Sequence, residues 1–67
     1  MKNMIENHKK AATHLTEAAK HHLEAAKHHE EGNHDKAHLS TIKAHGHTTH
    51  AIEAQKEILK HHASIKQ

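Results

Sequence analysis

The sequence predicts an all-α protein, an antiparallel hairpin of two long helices. Strong helix formers, mainly Ala, Glu, Lys and Leu, dominate residues 3–31, and the chain contains no proline. Gly32 and Asn33 stand together at the midpoint, where a helix would stop and another begin. A seven-residue repeat runs along the first half, which is typical of packed helices. With 67 residues, these features predict one small helical domain spanning 1–67.

The first helix, predicted over about residues 3–31, carries the repeat. The segment 7–12 aligns with 14–19 and then with 21–26, so equivalent residues share one helix face. Alanine at every second position of this seam allows two helices to approach closely. The repeat predicts a left-handed coiled-coil packing through a seam of Met4, His8, Ala11, Leu15, Ala18, His22, Ala25 and His29.

The turn is predicted at residues 32–33, and the second helix over about 34–65. Gly32 favours a helix C-terminus, Asn33 can cap the next helix, and Asp35 suits its first turn. Gly46 falls in the middle of the second helix, where glycine costs about 1 kcal/mol relative to alanine. Two interpretations stay open: Gly46 permits close contact with the first helix, or it is merely tolerated.

The second helix carries two neighbouring stripes. One holds Ile42, Ile52 and Leu59, with His38, His45 and Thr49 between them. The other holds Ala37, Thr41, Ala44, Thr48, Ala51, Ile58 and Ile65. Together they form a face wider than one partner helix covers, and two helices alone enclose no core. We therefore predict that the hairpin forms a homodimer, a four-helix bundle whose symmetry the sequence leaves open.

Composition excludes several classes of function. The absence of cysteine excludes disulfides and thiolate metal sites. No apolar run approaches the roughly 20 residues that cross a bilayer, and the N-terminus lacks an apolar signal segment, so we expect a cytoplasmic protein without membrane contact. A net charge of +2 and the lack of aromatic residues argue against nucleic-acid binding.

Histidine makes up 13 of the 67 residues and points to metal binding. Neutral imidazole is a good ligand for Zn, Ni, Cu(II) and Co, and the ligand types do not choose among them. The predicted function is buffering, storage or delivery of a divalent transition metal, without enzymatic activity. Because the histidines are interspersed and periodic, they do not resemble a purification tag.

A hairpin turning at residues 32–33 brings together residues whose numbers add up to about 65. This rule predicts three clusters: His29, His34 and His38 near the turn, His22 with His45, and His14 with His47 and His50. His21 is a candidate addition to the third cluster, and a Glu30 or Glu31 oxygen to the first. The heptad places His22 and His29 inside the hairpin. It leaves His21 and His28 outside, where they would pair with Glu17 and Glu24. The predicted ligands are thus His14, His22, His29, His34, His38, His45, His47 and His50.

Two alternatives use the same histidines. A helical interaction module could respond to pH without metal, because complete histidine protonation would raise the formal charge from +2 to +15. A bis-histidine haem site with His22 and His45 as axial ligands is chemically feasible. Haem is disfavoured because alanine-lined packing leaves little room for a porphyrin.

The stretch from Ala25 to Ala37, with its His28-His29-Glu30-Glu31-Gly32 core, and its continuation through Ala44-His45-Gly46-His47 also carry a resemblance. They resemble small histidine-rich bacterial helical proteins of largely uncharacterised function. The resemblance implies a bacterial source and a helical fold, and it assigns no site residue.

Overall fold

Two long helices packed side by side make up the chain. The computed structural model describes residues 2–65, with side chains through Ala63. Helix α1 covers Lys2–Glu30 and helix α2 covers His34–Ile65, and they run antiparallel; the Cα atoms span 54 × 13 × 11 Å. The predicted all-α hairpin is confirmed. Neither helix has, in the described residues, a stretch long and apolar enough to cross a membrane.

A Schellman motif ends α1. The N–H of Asn33 donates to the carbonyl of His28 at 2.7 Å, and the N–H of Gly32 donates to the carbonyl of His29 at 3.0 Å. Gly32 has φ +76°, the left-handed conformation that this motif requires at its glycine. The Asn33 carbonyl then accepts the N–H of Ala37, which starts α2 at the predicted turn.

Alanine forms the contact between the helices. Every buried apolar residue of the described chain is an alanine, and Ser40 is buried beside them. The buried alanines recur mainly at seven-residue spacing, as a coiled-coil contact requires. They are Ala11, Ala18 and Ala25 in α1, and Ala37, Ala44, Ala51 and Ala54 in α2. The large apolar side chains stay outside this contact.

The predicted alanine positions of the seam are correct, but the residues predicted between them are wrong. His8, Leu15, His22 and His29 are exposed, whereas Asn7, His14, His21 and His28 are partly buried. Leu15, His22 and His29 follow the alanines Ala11, Ala18 and Ala25 by four residues, whereas His14, His21 and His28 follow the same alanines by three. Close contact between alanines leaves no room between the helices for Leu15, which remains 44% exposed.

Gly46 does not mediate close helix contact within the hairpin. It is exposed, and a Cβ built on it would meet no neighbour within 4 Å. Four threonine hydroxyls donate to carbonyls one turn earlier, which satisfies them locally along both helices. These are Thr16 in α1 and Thr41, Thr48 and Thr49 in α2.

Candidate metal site

The histidines lie along the two sides of the hairpin and avoid its outer surfaces. Because alanines seven residues apart stay buried along both helices, heptad spacing assigns each residue to a side. One side, the stacked-histidine face, carries His14, His21, His28, His47, His50 and His61. The other side carries His8, His22, His29, His34, His38, His45 and His62.

Four imidazoles form a continuous stack on the stacked-histidine face. The His14 ring lies 5.0 Å from that of His50 and 5.2 Å from that of His47, measured between centroids. The His47 ring in turn stacks on His21 at 5.6 Å and an interplanar angle of 12°. The Nδ1 atoms of His14 and His47 are 2.9 Å apart, so one of them donates a hydrogen bond to the other. Because the helices meet through alanines, their axes lie close together, and the histidine rings of α1 and α2 can contact each other.

The carboxylate of Glu17 lies beside two of these imidazoles, those of His21 and His47. One ligand atom each from Glu17, His21 and His47 lies within 4.8 Å of the other two. Glu17 and His21 are one helical turn apart in α1, and His47 reaches them from α2. All three are partly buried. Two nitrogens and one oxygen arranged in this way can hold a divalent transition metal ion.

A second carboxylate orients the His21 ring. Glu24 Oε1 lies 2.7 Å from His21 Nδ1, and this hydrogen bond is the main cause that lowers the Glu24 pKa below its usual range. The side chain of His21 is only 17% exposed, which restricts its movement. With Nδ1 held by a carboxylate, Nε2 is left for a metal, as in carboxylate–histidine–metal arrangements.

His28 repeats this geometry one heptad later in a looser form. Its Nδ1 lies 3.7 Å from Glu31 Oε1, too far for a hydrogen bond, and this buried nitrogen has no partner. Glu17, the predicted partner of His21, lies near it, and Glu24 adds a hydrogen bond to the same ring. The predicted pair of His28 with Glu24 is wrong, because Glu24 bonds His21 and Glu31 is the carboxylate near His28. Both histidines are partly buried, contrary to the prediction that they face outward.

Another histidine pair lies at the turn. The Nδ1 atoms of His29 and His34 are 2.7 Å apart, and their rings are tilted by 41° at 4.9 Å. Both side chains are exposed. His38 follows His34 by one helical turn, so it shares its side of α2.

The eight predicted ligands are thus distributed over two sides. The structure brings together His14, His47 and His50, the predicted third cluster, with His21 as its candidate addition. It pairs His29 with His34 as part of the predicted first cluster. Among the described residues, no hydrogen bond or ring contact joins His22 to His45 or His29 to His38, and all four are exposed. Whether any of the eight binds metal remains a prediction.

Glu17 is the site residue that the sequence analysis did not propose as a ligand. Its signal was present in the spacing, since a carboxylate four residues before His21 shares its helix face. The same spacing is more common in solvated ion pairs, so the sequence alone does not single out Glu17 as a ligand.

The chain matches no family model. Comparison with curated proteins and with solved structures likewise finds no similar chain.

Proposed function

We propose that this protein binds a divalent transition metal ion through Glu17, His21 and His47, and that it buffers, stores or delivers that metal. The observation that carries the proposal is the convergence of their ligand atoms within 4.8 Å from two helices. Ligands on a tetrahedral ion lie about 3.3 Å apart, so small side-chain rotations would close the group. His14, whose Nδ1 is 2.9 Å from that of His47, is the nearest candidate for a fourth ligand.

The surroundings favour exchange of the metal over a permanent structural role. The three ligands are partly buried and lie on an open side of a narrow hairpin, so water and other chelators reach them. The donor set of imidazole and carboxylate suits Zn, Ni, Cu(II) or Co. The proposal assigns no catalysis to this site.

A metal titration of chelator-treated protein at pH 7.5 tests this function. Wild-type protein is expected to bind Zn or Ni, and His47→Ala to weaken binding by about 10–100-fold or more, because it removes the only ligand from α2. His61→Ala is the matched control, since His61 is an exposed histidine of the same helix and the same face. No binding by wild-type protein, or equal loss in both variants, would contradict the proposal.

A second candidate function is a pH-responsive helical module that needs no metal. The hydrogen bond between the Nδ1 atoms of His14 and His47 favours it, because one nitrogen must be unprotonated to accept. A hydrogen bond between these two nitrogens cannot exist when both carry protons. Such a module would respond to pH identically with and without EDTA, whereas the metal-binding protein would lose a metal-dependent part of its stability in EDTA.

A further inference from the structure

The side of the hairpin opposite the stacked-histidine face is uncharged from end to end. We name it the neutral face. A groove there is lined by His8, Ala11, Ala12 and Leu15 of α1 and by Gln55, Ile58 and Leu59 of α2. At heptad spacing the face comprises Ile5, His8, Ala12, Leu15, Ala19, His22, Ala26, His29, His34, His38, Thr41, His45, Thr48, Ile52, Gln55, Leu59 and His62, beside the buried alanines.

No lysine, aspartate or glutamate of the described helices lies on the neutral face, although the chain has 18 such residues. They occupy the stacked-histidine face and the outer surfaces instead. A monomer gains nothing from such segregation, whereas depletion of charge is the compositional mark of an interface core.

The large apolar side chains also indicate that something covers this face. Four of the seven exposed large apolar side chains of the described residues lie on it, namely Ile5, Leu15, Ile52 and Leu59, and the other three, Leu23, Leu39 and Ile42, lie elsewhere. The apolar residues that the hairpin itself buries are all alanines. A chain of this size needs more burial than that to be stable. The face is 54 Å long, and two helices with their side chains are about 20 Å wide, so the face covers about 1,000 Å² per copy, compared with about 800 Å² per partner in a standard interface.

The occupant that fits is a second copy of the chain, and the distribution of residues along the face sets its direction. The four large apolar residues Ile5, Leu15, Ile52 and Leu59 lie toward the open end, together with His8 and His62. The other five histidines of the face, which are His22, His29, His34, His38 and His45, lie toward the turn. A copy with its turn at the same end packs apolar residues on apolar residues and imidazoles on imidazoles. The opposite direction would place imidazoles against leucine and isoleucine, where their nitrogens find no partner.

We infer that a second copy packs on the neutral face with its turn at the same end, and that the imidazoles of the turn-proximal half form a metal site shared by the two copies. The shared site rests on the metal binding proposed above; the dimer does not. One hairpin alone brings together only two of these imidazoles, His29 and His34, at 2.7 Å between Nδ1 atoms. The second copy supplies the further ligands that a closed site requires.

Analytical ultracentrifugation at pH 8 in EDTA tests the dimer. Wild-type protein is expected at twice the 7.6 kDa chain mass. Leu15→Glu should weaken dimerisation by at least about 100-fold, because it places an unpaired charge in the interface. Leu39→Glu is the control: Leu39 is 57% exposed but lies off the neutral face, so the dimer should persist. A wild-type monomer at all concentrations, or equal effects of both substitutions, would overturn the inference.

Distance measurement and metal titration test the direction and the shared site. Spin labels on Asp35→Cys are expected about 30 Å apart or less if the turns lie together; a separation near the 54 Å molecular length would overturn the arrangement. Zn should tighten the wild-type dimer, and His38→Ala should abolish this effect while retaining the site at His47. His47→Ala should do the reverse. If Zn binds through His47 without tightening the dimer, the shared site is wrong and the proposed function stands; if no Zn binds, both fail.

Discussion

A histidine in this hairpin is positioned by the buried alanine nearest to it. His14, His21 and His28 each follow a buried alanine by three positions and are partly buried, and the rings of His14 and His21 contact histidines of α2. His22 and His29 follow the same alanines by four positions and face the other side. Neighbouring histidines such as His21 and His22 therefore have different surroundings, and only His21 gains a carboxylate partner.

The pKa of Glu24 reports directly on the His21 ring. The hydrogen bond from His21 lowers this carboxyl pKa in the folded state, so its contribution to stability is present above the ordinary carboxyl pKa and is lost as pH falls through the lowered value. His21→Ala should raise the Glu24 pKa toward its usual range, as measured by NMR titration of the side-chain carboxyl. His28→Ala should leave it unchanged, and a shift in both variants would contradict the local cause.

At the scale of the helices, the sequence predicted both helices, the turn and the alanine contact, but it could not choose the side on which the helices meet. Ala11, Ala18 and Ala25 belong equally to a seam with Leu15 and His22 and to a seam with His14 and His21. If burial of leucine decided the packing, the helices would meet through the seam that contains Leu15. The close approach that alanine permits selects the second, because long side chains then extend sideways from the contact. The helices meet through the second seam, so His21 is partly buried and His22 is exposed, the opposite of what the heptad predicts.

The two glycines should respond oppositely to the same substitution. Gly32→Ala is expected to destabilise the hairpin by about 1–2 kcal/mol, because φ +76° is unfavourable for a residue with a Cβ. Gly46→Ala is expected to stabilise it by about 1 kcal/mol, because a helical alanine there meets no neighbour within 4 Å. Thermal unfolding followed by circular dichroism measures both. A lower midpoint for Gly46→Ala would show that this glycine has a packing role outside the hairpin.

At the scale of the whole molecule, charge is balanced only while the histidines are neutral. The formal charge is +2 with neutral histidines and would reach +15 with all of them protonated, on a hairpin only two helices wide. Both sides of the hairpin carry six or seven histidines, so the repulsion would act on each side. The two proposed functions, metal binding and response to pH, would therefore depend on the same histidine protons.

Acidification should unfold or separate the helices, and metal should oppose this only where the imidazoles are neutral. We expect a markedly lower thermal midpoint at pH 5 than at pH 8, partly restored by salt, which screens the repulsion. Zn should raise the midpoint at pH 7.5 and not at pH 5, because protonated imidazole does not bind metal. Equal midpoints at pH 5 and pH 8 would contradict the role of histidine charge, and a Zn effect at both pH values would place the metal on other ligands.

The small side chains of the alanine contact also determine the distance between the two helices. Ala18 lies between His14 and His21 in α1, and its methyl group fixes how far α2 stands from both rings. Any larger side chain there would wedge the helices apart and move His47 away from His14, Glu17 and His21 together. The distance between the candidate ligands of the two helices is thus set by Ala18, whose side chain has no atom that could bind a metal. Substitutions of Ala18 by progressively larger residues would therefore change the spacing of the proposed ligands without altering any of them.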